Sequence, residues 1–163
     1  MRKRVNWEGV FPAVTTQFHD DLSLDIDATA RVMEGLIRDG VSGLIVCGTV
    51  GENCSLAKME KIAVMEAGKA VARGRVPVIS GIAEFTSAFA IDMAKEAAPI
   101  GLDGVVVMPA LVYSSKPHDT AAHFRSVATA PAREGGRRRA RGVGGAVADV
   151  LFERRLVRVL GGA

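Results

Sequence analysis

Four times between Gly9 and about Ala130, a short β-branched apolar run gives way to a longer segment with apolar residues every three or four positions. That rhythm predicts βα units around a parallel sheet: strands covered by helices on their faces are almost wholly apolar, while each covering helix keeps a polar side. Val10 to Thr16 reads as the first strand. In the helix that follows, Ile26, Ala30, Met33 and Ile37 share a face, Asp25 or Asp27 caps it, and Gly40 stops it. The second unit has a strand from Gly43 to Cys47, a glycine-containing turn, and a helix opened by Ser55 and closed near Arg73 and Gly74, with Met59, Ile62, Ala63 and Ala70 on its apolar face. Val76 to Ser80 and a helix from about Thr86 to Ala98 form the third, where Pro77 is tolerable only near a strand start. Gly104 to Met108 and a helix beginning near Pro117 form the fourth.

At 163 residues, 48% apolar and 24% charged, the chain is not disordered and is long enough to bury a core without disulfides or metals. Cys47 and Cys54 are seven apart and match no redox or zinc spacing, so reduced thiols and a cytoplasmic location are expected. The basic start, Met1 to Arg4, is followed by no apolar segment of the kind a signal peptide carries. The longest unbroken apolar stretch, Val105 to Val112, falls far short of the roughly 20 residues that span a bilayer. No membrane association is expected.

The rhythm stops at Ala130. Residues 1–130 carry 13 Lys and Arg against 15 Asp and Glu, whereas residues 131–163 carry 8 Arg against 3 acids. Of those last 33 residues, 25 are Arg, Gly, Ala or Val, and none is Lys, Ile, Ser or Thr. Two readings stay open for this irregular Arg/Gly-rich tail: a basic arm centred on Arg137 to Arg141, or a non-native end such as out-of-frame translation of GC-rich DNA. The tail lacks the aromatics on which nucleic-acid bases stack, so nucleic acid is not the expected partner.

Sites in parallel α/β folds form where strands end and helices begin. The four turns at those places contain Thr15 to Phe18, Gly48 to Asn53, Gly81 to Glu84, and Met108 to Tyr113. In the second, two glycines permit a tight turn after an apolar strand, and free N–H groups ahead of a helix can hold an anion such as a carboxylate. It is not a phosphate-binding P-loop, whose Gly-Lys-Ser/Thr ending is absent.

The turn sequence G-T-V-G-E at Gly48 to Glu52, the stretch Arg75 to Gly81 and the stretch Pro109 to Tyr113 followed by Pro117 together resemble the dihydrodipicolinate synthase and N-acetylneuraminate lyase family of pyruvate-dependent class I aldolases, over Gly9 to Ala130. That family reads G-[TS]-T-G-E at the turn and R-x-P-V-I-x-G at the strand. The resemblance implies a (β/α)8 TIM barrel of which this chain supplies the first four βα units, since such barrels need about 250 residues. It implies lyase chemistry on pyruvate or a related 2-oxoacid through a Schiff base to a sixth-strand lysine, with no metal or organic cofactor. Carried over by position, Thr49 would relay a proton and help seat the substrate carboxylate together with Gly48 and Val50. Val50 stands where the family has a second threonine, so only its N–H can serve. Tyr113 resembles a tyrosine that reaches across a dimer contact, although Ala110 to Val112 separate it from the proline it should follow. The sixth-strand lysine would lie beyond Ala130, where this chain has none. Residues 1–130 are therefore expected to form a truncated half-barrel, inactive alone, that associates with further copies through its exposed sheet edges.

The remaining residues have plainer expectations. Lys58, Lys61, Lys69, Lys95 and Lys116 fall on apparent helix surfaces or a loop, His118 and His123 on a solvated helix, and His19 in a polar turn. Phe85, Phe89 and Phe124 are expected in packing and Cys47 as a buried, inert thiol. Two other functions compete: a small doubly wound module holding an anionic metabolite at the glycine turn, and a nucleic-acid binder using the tail.

Overall fold

In the computed structural model, which describes residues 5–109, 114–130, 148–152 and 155–159, the four-unit rhythm becomes four helices and one parallel sheet of three strands. Helix α1 (Ile26–Arg38) is opened by the Asp25 carboxylate, which accepts the N–H of Ala28 at 2.7 Å, and ends before Gly40 at φ +88°. Then come β1 (Leu44–Val46), α2 (Lys58–Ala72), β2 (Val78–Ile82), α3 (Ser87–Ile100), β3 (Gly104–Val107) and α4 (Pro117–Thr129). The strands form one parallel sheet in the order β1-β2-β3, with Leu44 opposite Val78 and Ile79 opposite Gly104. Leu44, Val46, Val78, Ile82 and Val107 are buried, in a core shared with Met33, Val64, Met65, Met93 and Ala97 from the helices.

The expected first strand is only partly realised. Ser42 N–H bonds Val10 O, Ile45 N–H bonds Pro12 O and Val14 N–H bonds Ile45 O, all within 3.0 Å, so residues 10–14 do run beside β1 in parallel. Pro12 has no N–H to return, and the ladder shrinks to the single bridge between Ala13 and Ile45.

Helix α2 begins three residues later than Ser55 suggests, because the Glu60 carboxylate reaches back to the Ala57 N–H at 2.7 Å and sets the start at Lys58. Its buried face is accordingly Lys61, Val64, Met65, Gly68 and Ala72, while Met59, expected inside, is 70% exposed. Phe124 packs against the core, but Phe85 and Phe89 are 57% and 61% exposed rather than packed within it. His123 is not a solvated residue: its Nδ1 lies 2.8 Å from Ser87 Oγ, joining α4 to α3, and its Nε2 is buried.

Within the tail expected to be irregular stand two short strands, β4 (Ala148–Phe152) and β5 (Arg155–Val159), paired antiparallel with Val150 opposite Val157. Both are rich in Val and Leu, which suits a pleated ribbon. The rest of residues 131–163 lie outside the described residues. No described helix is long and apolar enough to cross a membrane.

Candidate functional site

The glycine turn after β1 is held by its own Asn53 and by contacts with two other places in the chain, Thr16 and Gly81. The Thr16 hydroxyl, itself buried, donates to Gly51 O at 2.7 Å. Asn53, also buried, donates its side-chain N–H to Cys47 O at 2.7 Å and approaches Gly81 O at 3.4 Å, so one amide joins the ends of β1 and β2. Its Oδ1 is buried without a donor among the described residues; the reverse orientation would press oxygen against two carbonyls. The turn closes on itself through Glu52 N–H to Thr49 O and Asn53 N–H to Gly48 O.

This geometry corrects the role given to the glycines. The left-handed positions of the turn are Cys47 (φ +50°) and Glu52 (φ +58°), not Gly48 or Gly51. Gly51 is required for a different reason: a Cβ there would lie 2.7 Å from Val14 O, and the backbone could not pass so close. Gly48 has no such constraint, its nearest neighbours being 3.8 and 3.9 Å away.

Gly48, Thr49 and Val50 are thus brought together at the turn, with Thr49 and Val50 exposed at its mouth. The N–H groups of Thr49, Val50 and Gly51 donate to nothing else among the described residues. Because α2 starts only at Lys58, this run of N–H groups belongs to the turn itself and not to a helix terminus. Tyr113, the other expected site residue, lies outside the described residues.

A buried ion pair stands beside the turn. Lys61, expected on a helix surface, points inward: its side chain is 7% exposed and its Nζ lies 2.6 Å from Glu84 Oε1, on a side chain 14% exposed. The pair ties α2 to the turn after β2. Lys58 is exposed and bridges Asp92 and Glu96, and Lys69 pairs with Asp103 at 2.8 Å. Sequence reasoning gave no role to Thr16, Asn53, Lys61 or Glu84. Their one signal was position, since Thr16, Asn53 and Glu84 all fall in βα turns. Among the described residues no three His, Cys, Asp or Glu side chains converge as a metal site would need.

Cys47 is buried, with its thiol 3.7 Å from Lys61 O, and burial pushes its pKa up from 9.0 to about 11. At pH 8 iodoacetamide is therefore expected to alkylate the exposed Cys54 in the folded protein and Cys47 only after unfolding, as read by intact mass. The sign for stability follows. Between about pH 9 and 11 the unfolded thiol loses a proton that the folded one keeps, so this group lowers stability as pH rises through that window. Equal labelling of both thiols in the native state would contradict the packing.

Comparison with known proteins places this geometry. The profile of the dihydrodipicolinate synthetase family matches residues 6–133. A 4-hydroxy-tetrahydrodipicolinate synthase from Sorangium cellulosum is 40% identical over 126 residues, covering 76% of this chain and 41% of that protein. An uncharacterized DapA-like lyase from Rhizobium meliloti is 33% identical, over 67% of this chain and 36% of that one. Among solved structures, a prophage protein of the dihydrodipicolinic acid synthase family from E. coli K12, in complex with pyruvate, superposes with a TM-score of 0.72 at 30% identity, over 76% of this chain and 42% of that one. The chain spans about two fifths of the length of the curated relatives it matches.

Proposed function

The chain belongs to the dihydrodipicolinate synthetase family, and on that premise we propose that its four βα units are the carboxylate-binding half of a lyase acting on pyruvate or a related 2-oxoacid. The observation that carries this reading is the run of unengaged N–H groups at Thr49, Val50 and Gly51, held open by Thr16 and Asn53. A substrate carboxylate accepts hydrogen bonds there, and the Thr49 hydroxyl stands at the mouth to pass a proton. Val50 contributes its N–H alone, which loosens the grip relative to a hydroxyl-bearing residue. Tyr113 completes the proton path in this reading.

Schiff-base formation needs an unprotonated amine facing the 2-oxo carbon. Lys61, the buried lysine of the described core, is committed to Glu84, and residues 131–163 contain no lysine. A chain of this sequence accordingly binds a 2-oxoacid without turning it over. Incubation with pyruvate and borohydride is expected to give no covalent adduct by intact mass, while pyruvate shifts the amide resonances of Thr49 to Gly51. A reduced adduct on any lysine overturns the inactivity, and undisturbed amides overturn the cradle. The tail is read as a non-native end: the coding DNA past codon 130, translated in the other two frames, should then yield a fifth strand, a tyrosine and a sixth-strand lysine.

A further inference from the structure

The chain leaves the β1 ladder through a residue in an uncommon conformation. Val46 opposite Ser80 is the last pair of the β1–β2 register, and the next residue, Cys47, stands at φ +50°. A left-handed backbone is unfavourable for a residue that carries a Cβ, and it persists only where its surroundings over-determine it. Cys47 is held in this way from three sides. Its side chain is buried, and its thiol donates to Lys61 O of α2 at 3.7 Å. Its carbonyl oxygen accepts the Asn53 side-chain N–H at 2.7 Å. That same oxygen rests on the backbone of Gly81 in β2: a Cβ built on Gly81 would overlap Cys47 O and stand 3.0 Å from the Cys47 carbonyl carbon and 3.2 Å from Gly48 Cα.

Gly81 is not glycine for the sake of its own backbone, since its φ is not positive. An alanine would suit that position as it suits any strand, and what it would displace is the peptide between Cys47 and Gly48. The same end of β2 also braces Cys47 on its other side. Glu84, three residues on, grips Lys61 at 2.6 Å, and the Lys61 carbonyl receives the thiol. Both the carbonyl and the side chain of Cys47 are therefore fixed from β2 and the turn that follows it.

We infer that Gly81 is a positioning residue of the cradle. By leaving room for Cys47 O it lets Cys47 stay left-handed, and Cys47 in that conformation carries the chain away from the ladder. The N–H groups of Thr49, Val50 and Gly51 are then left without partners among the described residues and are free for a substrate carboxylate. An extended residue at position 47 would instead carry the chain onward beside β2, where backbone N–H groups are consumed by ladder bonds. Gly81 acts through Cys47 and touches no substrate. The inference rests on the 2-oxoacid reading for its ligand, but the backbone of Cys47 can be read with no ligand present, so either can fail alone.

Gly81→Ala in the full chain, its fold checked by circular dichroism, is expected to raise the Kd for pyruvate by about tenfold or more, the loss of roughly one hydrogen bond or more, as read by titrating the Thr49 to Gly51 amide resonances. Without pyruvate, the Cα and Cβ chemical shifts of Cys47, which report its backbone region, should leave their left-handed values. If a substitution within this wholly buried strand prevents folding, Asn53→Leu carries the test, because it releases Cys47 O without adding a clash at β2. The same two changes are expected of it. A folded variant in which Cys47 keeps its left-handed shifts overturns the inference, as does one in which Cys47 loses them while pyruvate binds as in the parent. A parent chain that leaves pyruvate unbound overturns the 2-oxoacid reading alone, since the shifts of Cys47 still decide whether Gly81 sets the turn.

Discussion

Glu84→Gln is expected to lower the stability of the domain by about 3–5 kcal/mol, the range for removing one partner of a buried ion pair. Glutamine keeps the size of the side chain and deletes the charge, so the Lys61 ammonium, at 7% side-chain exposure, is left without its counter-ion 2.6 Å away. Water cannot replace that partner without opening the contact between α2 and the turn after β2. A domain of this size is typically stable by roughly 5–15 kcal/mol, so the loss would move the urea midpoint by a large fraction of its value. The double variant Lys61→Met with Glu84→Leu tests the cause. It removes both charges and keeps the volume, and is expected to fall within about 1 kcal/mol of the parent or above it. A change below about 1 kcal/mol for Glu84→Gln alone would mean that solvent reaches the pair.

That pair also marks where sequence reading ends. The rhythm of strands and helices was legible because it is local: Asp25 caps α1, Thr86 caps α3, Pro117 opens α4, and the periods of apolar residues show which faces turn inward. Helix α2 was read one face off because a charged residue, Lys61, belongs to its buried face, and a carboxylate 23 residues away makes that burial tolerable. The first strand was overestimated because the lack of one N–H, at Pro12, matters only once the partner strand is known. At the site, the glycine turn and its free N–H groups could be read from G-T-V-G-E. Its supports could not, since the bond from Thr16 to Gly51 spans 35 residues and the contact of Asn53 with Gly81 spans 28. Local sequence thus described the cradle, and tertiary contacts decide whether it keeps its shape.

Gly51→Ala tests that shape directly. The added Cβ would sit 2.7 Å from Val14 O and 3.4 Å from the N atoms of Cys47 and Gly48, all backbone atoms that cannot rotate aside. Val14 cannot easily retreat, because its own N–H bonds Ile45 O at 2.8 Å and its side chain is buried. The turn must therefore move, straining the 2.7 Å bond from Thr16 to Gly51 O, at a cost of about 1–3 kcal/mol or more, as for other overpacked sites. The same displacement should abolish the pyruvate-induced shifts of the Thr49 and Val50 amides. Gly48→Ala provides the contrast. With nothing nearer than 3.8 Å and no positive φ, it should change stability by less than about 1 kcal/mol and leave the amide shifts in place. Equal costs at the two glycines would remove the packing explanation, because a turn that needs glycine only for flexibility would suffer alike at both.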